Sequence, residues 1–168
     1  MSNSDPTIAK SGPYRLGQVW RYVPLVLWMV LISFASTAGF SSINTSRFIG
    51  PLFHWLFPDL SESRLGTLHF LIRKAAHFTE YAVLAFLARR AFFTSGNEFM
   101  QRRWFELSLL LITCYALLDE FHQSFVPTRT ASIYDSAVDV AGGLTVLLAF
   151  RFYGRRLRDR ADLCMDQE

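Results

Sequence analysis

Asp119, Glu120, His122 and Gln123 stand just before Pro127, and Arg129, Asp135 and Asp139 come after it, in one short stretch between two apolar runs. Carboxylates and an imidazole can exchange protons, and an arginine can hold an anionic oxygen. A second group, Lys74, His77, Glu80 and Tyr81, recurs at spacings of three and four, which places all four on one helical face. Asp119, His122 and Gln123 share a face by the same rule, and Asp135 and Asp139 lie one turn apart. The flanking runs, residues 107–118 and 140–150, are apolar enough to lie in a bilayer. Ionisable groups at such a boundary are costly, which makes them functional candidates.

Composition narrows what could position them. Of 168 residues, 51% are hydrophobic and 16 are phenylalanine. The apolar residues come in blocks flanked by arginine rather than in amphipathic stripes, and a block of about 20 spans a hydrocarbon core of about 30 Å. The expected fold is all-α: a polytopic membrane protein with four transmembrane helices and an interfacial helical segment between the first and second. The net charge of +3 comes from basic flanks and a basic tail without a nucleic-acid-binding motif, so the expected partner is the lipid bilayer and not a nucleic acid. Cys114, in an apolar run, and Cys164, in the hydrophilic tail, are expected to be free thiols.

Residues 1–18, broken by Pro6, Gly12 and Pro13, read as a disordered cytoplasmic lead. The membrane domain is expected over 19–153, and a basic-to-acidic cytoplasmic tail over 154–168. The first span covers 19–40. Its basic lead and the small residues Ser36, Thr37 and Ala38 also fit a signal peptide, but its length and the presence of three further spans favour a retained helix. Phe48, Ile49, Trp55 and their neighbours suit a segment lying in the interface. Asp59 followed by Glu62 resembles a capping box and predicts a short helix from Leu60 toward Lys74. The second span is expected over 75–93. The third starts near Trp104 and stops before Pro127. The fourth opens at Asp135, contains Gly142 and Gly143 for close backbone approach, and ends at Phe152 or Tyr153.

Most lysines and arginines fall on one side if the N-terminus is inside, with Arg89, Arg90, Arg102, Arg103 and the tail arginines together. The positive-inside rule then predicts both termini in the cytoplasm. The outer ends of spans two, three and four would carry the polar residues to one place. From His77 to Arg89, and from Asp139 to Arg151, is about 18 Å of helix, less than the ~30 Å core. The expected site is a polar pocket sunk into the outer leaflet, formed by Lys74, His77, Glu80, Tyr81, Asp119, Glu120, His122, Gln123, Arg129, Asp135 and Asp139.

The segments RKAAHFTEYAVLAFLARRA (73–91) and LLDEFHQSFVPTRTASIYDSAVDVAGG (117–143), with the serine-rich end of span one, closely resemble the VanZ-like family of small bacterial membrane proteins. The resemblance extends over roughly 20–153, and it falls on the pocket residues just named and on Gly143. That family is named for a protein associated with low-level resistance to the glycopeptide teicoplanin. The resemblance therefore implies an envelope-associated role, with an envelope lipid precursor or a glycopeptide as ligand, but no reaction.

Other readings of the same residues stay open. Lys74 or Arg129 could simply pair with Asp119, Glu120 or Asp135 and fix which helices meet. His77, Glu80, Asp119 and His122 could hold a divalent metal as cofactor, although this pattern also describes hydrogen-bonded pairs. An acid/base or metal-dependent enzyme acting on a lipid-linked envelope substrate is the alternative function. No nucleophile elbow, zinc-protease motif or phosphate-binding loop accompanies it. Transport is disfavoured, because four short spans lack broken-helix symmetry.

Overall fold

The structure is a computed structural model that describes residues 19–36, 55–56, 61–125 and 132–165, with side chains described as far as residue 156. Five helices make up these residues, with no strand among them: α1 (Val23–Ala35), α2 (Glu62–Phe93), α3 (Glu98–Arg102), α4 (Trp104–Gln123) and α5 (Ile133–Met165). The all-α expectation holds. One helical segment, Ile133–Arg156, is long and apolar enough to cross a membrane, and Val23–Ala35 is a shorter apolar helix. The charged residues at both ends of α4 and along the whole of α2, Glu80, Arg89 and Arg90 included, keep those helices from meeting the same criterion.

The expected break between a short helix and the second span is absent. From Glu62 to Phe93 the chain is one helix of 32 residues, about 48 Å long. Ser61 supplies an extended N-cap (φ −65°, ψ 151°) and Glu62 stands in the first turn, where a negative charge favours the positive end of the helix dipole. No proline interrupts the helix, and its leucine, alanine, arginine and lysine residues all favour continuation. Asp59 and Leu60, with nearly all of the proposed interfacial segment, lie outside the described residues. At the other terminus, α5 does not stop near Tyr153 but continues through the basic tail to Met165.

The direction of each helix can be read from its contacts. Lys74 meets Asp135, His77 meets Asp139, and Phe86 stacks on Phe150, so α2 and α5 run parallel. α4 is antiparallel to both: Ser136 Oγ donates to the Ala116 carbonyl, while Trp104 packs edge-on against Phe93 at the far end. α1 runs alongside α4, with Tyr22 OH donating to Ser95 Oγ at one end and Gln123 Nε2 donating to Ser36 Oγ at the other. The turn between α2 and α4 is closed by Asn97, whose side chain accepts from Phe99 N at 2.9 Å and caps α3.

Small residues make the close contacts. Ala85, Ala88, Ala91 and Ala116 are fully buried, whereas Leu27, Phe34, Phe70, Leu110, Phe121 and Phe152 stand on the surface. At Gly142 a Cβ would run into the Phe78 carbonyl, and at Gly143 it would meet the Ile112 side chain and lie 3.3 Å from the Tyr81 carbonyl. Small residues inside and large apolar ones outside is the pattern of helices packed within lipid.

Candidate functional site

The parallel course of α2 and α5, with α4 antiparallel to both, brings the middle of α2, the last turns of α4 and the first turns of α5 together. The outermost contact joins α2 to α5. Lys74 Nζ donates to Asp135 Oδ1 in a short ion pair, and Arg73 approaches Asp135 Oδ2 at 3.5 Å. The Lys74 ammonium also lies over the Phe70 ring, 5.3 Å from its centroid. Asp135 occupies the first turn of α5, where its charge is further favoured by the helix dipole.

Nearby, Glu120 Oε1 accepts from the backbone N–H of Ser132, so the end of α4 ties down the start of α5. One turn deeper, His77 Nδ1 lies 3.4 Å from Asp139 Oδ1, an ion pair whenever the imidazole is protonated. Asp139 is only 2% exposed. Asp119 is buried beside it in the bundle and accepts from Gln123 Nε2 at 2.8 Å.

Tyr81 forms the floor. It is fully buried, and its hydroxyl has no hydrogen-bond partner among the described residues. Its ring lies 6.3 Å from that of Tyr115, whose hydroxyl bonds Ser33 Oγ at 2.7 Å. A tyrosine hydroxyl so enclosed ordinarily finds a partner. Glu80 is half-buried on the side of α2 that meets α1, where its backbone carbonyl accepts from Trp28 Nε1 at 2.9 Å.

His122 does not join this cluster; it is exposed. The buried face of α4 runs through Ile112, Ala116, Asp119, Glu120 and Gln123, and at 100° per residue His122 falls about 100° from its centre. Spacing from Asp119 alone did not reveal this, because the face is centred toward Gln123. Arg129 lies outside the described residues. The metal candidates are correspondingly apart: among the described residues no group of three or more His, Cys, Asp or Glu is arranged to hold a metal ion. Cys114 is a free, exposed thiol, and the Cys164 side chain lies outside the described residues.

Residues that the spacing argument passed over also shape the site. Arg73 shares Asp135 with Lys74; its position beside Lys74 and opposite an acid was the available signal. Ser132 and Ser36 lie in segments that carry the family resemblance, but their contacts depend on which helix ends meet. Chemically the cluster combines a lysine–aspartate pair at its rim, a histidine–aspartate pair within, and an enclosed phenol below. It can accept hydrogen bonds from a polar ligand, exchange a proton through His77, or neutralise a cation.

Comparison with known protein families gives a match to the family model VanZ/LLP1 over residues 20–154. Comparison with curated proteins and with solved structures gives no match.

Proposed function

Because the chain belongs to the VanZ/LLP1 family, we propose that it is an envelope-associated protein of the bacterial inner membrane, crossing it with α1, α2, α4 and α5. Both termini are cytoplasmic, and the Asp139 end of the bundle opens outward. There the polar cluster binds a polar group of an envelope component, a lipid-linked precursor or a glycopeptide, and so influences susceptibility to teicoplanin. The alternating direction of the four helices supports this topology, as does the accumulation of arginines at the end opposite Asp139. Large apolar side chains on the outside of the helices supply the lipid-facing surface.

One observation carries the binding reading. Asp139 is buried against His77, above a Tyr81 hydroxyl that has no partner among the described residues. A buried polar cluster left partly unsatisfied is costly unless something completes it. The test compares Asp139→Asn with the unaltered protein in a strain deleted for it. The expected result is teicoplanin susceptibility equal to that of the deletion, at unchanged protein abundance. Full complementation by Asp139→Asn would overturn the assignment of the site.

The His77–Asp139 pair also favours a second reading, acid/base catalysis on a lipid-linked substrate, because a carboxylate at Nδ1 orients an imidazole. The two readings diverge in Glu80→Ala and Asp119→Ala. An enzyme would lose turnover while retaining ligand; a binding protein would lose retention itself. Mass spectrometry of lipids that co-purify with each variant reads the difference.

A further inference from the structure

At the end of the bundle opposite Asp139, a cavity of about 550 Å³ opens between α2, α5 and the junction of α3 with α4. Its volume lies in the range of roughly 300–1,000 Å³ typical of small-molecule sites. Arg89, Arg151 and Arg155 line it together with Phe93, Trp104 and Phe150. The Arg89 guanidinium is stacked among aromatic rings, 3.9 Å from the Phe150 centroid, 5.0 Å from Phe93 and 5.4 Å from Trp104. Arg151 lies over the Phe105 ring at 4.7 Å.

Among the residues whose side chains are described, the carboxylates nearby do not balance these charges. Glu106 faces the cavity, but its ion pair is with Arg103, at 4.0 Å. Glu98 is bonded to Arg102 at 3.1 Å. Among the described residues, Arg89, Arg151 and Arg155 form no ion pair, and Arg89 Nε is buried without a hydrogen-bond partner. Aromatic stacking holds the guanidinium plane in place but leaves Nε–H without a partner, and the N–H edge of a guanidinium fits the oxygens of a phosphate. Bare cations between helix ends, walled by aromatic rings, suit a ligand that is anionic at one end and apolar at the other.

We propose that this cavity binds the phosphate of an anionic phospholipid in the leaflet on the arginine side of the bundle. The proposal rests on the membrane placement argued above but not on the outward polar cluster. The phosphate would bridge Arg89 and Arg151, Arg155 would add a longer-range charge, and the Phe93–Trp104–Phe150 wall would contact the glycerol and the upper acyl chain.

The test uses the full chain purified in neutral detergent, with native mass spectrometry counting retained lipid. Phosphatidylglycerol, phosphatidylcholine and inorganic phosphate are offered separately. Phosphatidylglycerol should be retained at least tenfold better than phosphatidylcholine, and the preference should be lost in Arg89→Gln/Arg151→Gln. If that pair fails to fold, Arg155→Gln, an exposed change, should still weaken retention severalfold. The exposed arginines Arg90 and Arg156 serve as the charge-matched control, and Arg90→Gln/Arg156→Gln should retain phosphatidylglycerol normally. Equal losses in the cavity variants and the control would mean non-specific charge attraction and would overturn the proposal. So would the absence of a preference over phosphatidylcholine, or competition by inorganic phosphate at equal concentration, which would assign the cavity to a soluble anion. Asp139→Asn should leave phosphatidylglycerol retention unchanged, so failure of the outward site and failure of this one are read separately.

Discussion

Asp135 serves two cations at once, Lys74 in a short pair and Arg73 at 3.5 Å. Asp135→Asn leaves both positive charges without a counterion at a partly buried helix contact, and should destabilise the protein by about 2–4 kcal/mol. Replacing Asp135 together with its more buried partner, as in Lys74→Met/Asp135→Leu, should recover part of that loss. Breaking a buried pair costs more than removing it whole, and Arg73, the more exposed cation, can turn to solvent. Denaturant unfolding in detergent, followed by circular dichroism, measures both. Tyr81 makes the opposite case. Its hydroxyl is buried without a partner among the described residues, so Tyr81→Phe should leave stability unchanged or raise it by up to about 1 kcal/mol. If that hydroxyl meets the ligand, the same variant lowers ligand retention at full stability, which separates a structural tyrosine from a binding one. That Lys74, His77 and Tyr81 share a face was legible from their spacing. That His122 leaves the cluster was not, because the orientation of α4 is decided by its neighbours.

At the scale of elements, the contact between α2 and α5 depends on Gly142. A Cβ there would run into the Phe78 carbonyl, a backbone atom that cannot rotate away. Gly142→Ala should therefore push the helices apart and cost about 1–3 kcal/mol or more, while Gly154→Ala, within α5 and with open space around its Cβ position, should stabilise by up to about 1 kcal/mol. Thermal unfolding of the two variants in the same detergent checks this. The glycine pair was visible in the sequence as a place of close approach, but which helix approaches it was not. The continuity of α2 was misread for a related reason. The apparent capping box at Asp59 and Glu62 marks a helix start but removes no backbone hydrogen bond further along, and the helix runs through Lys74 into the second span.

For the whole molecule, the two ends of the bundle carry different chemistry. Carboxylates, His77 and Lys74 gather at one; arginines stacked on aromatic rings gather at the other. With the proposed orientation, a reporter fused after Arg160 should be active in the cytoplasm and silent as a periplasmic fusion, and activity in the periplasm would reverse the assignment of the two ends. The described helices differ in how well they satisfy a simple length-and-apolarity criterion, and Ile133–Arg156 alone meets it. The polar residues of α2 pair with α5, and those of α4 pair with α1, with one another and with the start of α5, so the fitness of both helices for lipid depends on the assembled bundle.

The sequence by itself determined the helical class, the family and the residue types available to the site. Those come from local periodicity, apolar blocks and linked motifs, all of which are short-range properties of the chain. The tertiary structure decided the pairings: Asp135 with Lys74 and Arg73, Asp139 with His77, Glu120 with the Ser132 backbone. It also decided that His122 faces outward and that Arg89 is sheathed by Phe93, Trp104 and Phe150. Each of these depends on the rotation of one helix about its axis against another. That rotation is set by where Gly142, Gly143 and the buried alanines let backbones meet, not by any spacing within a single helix.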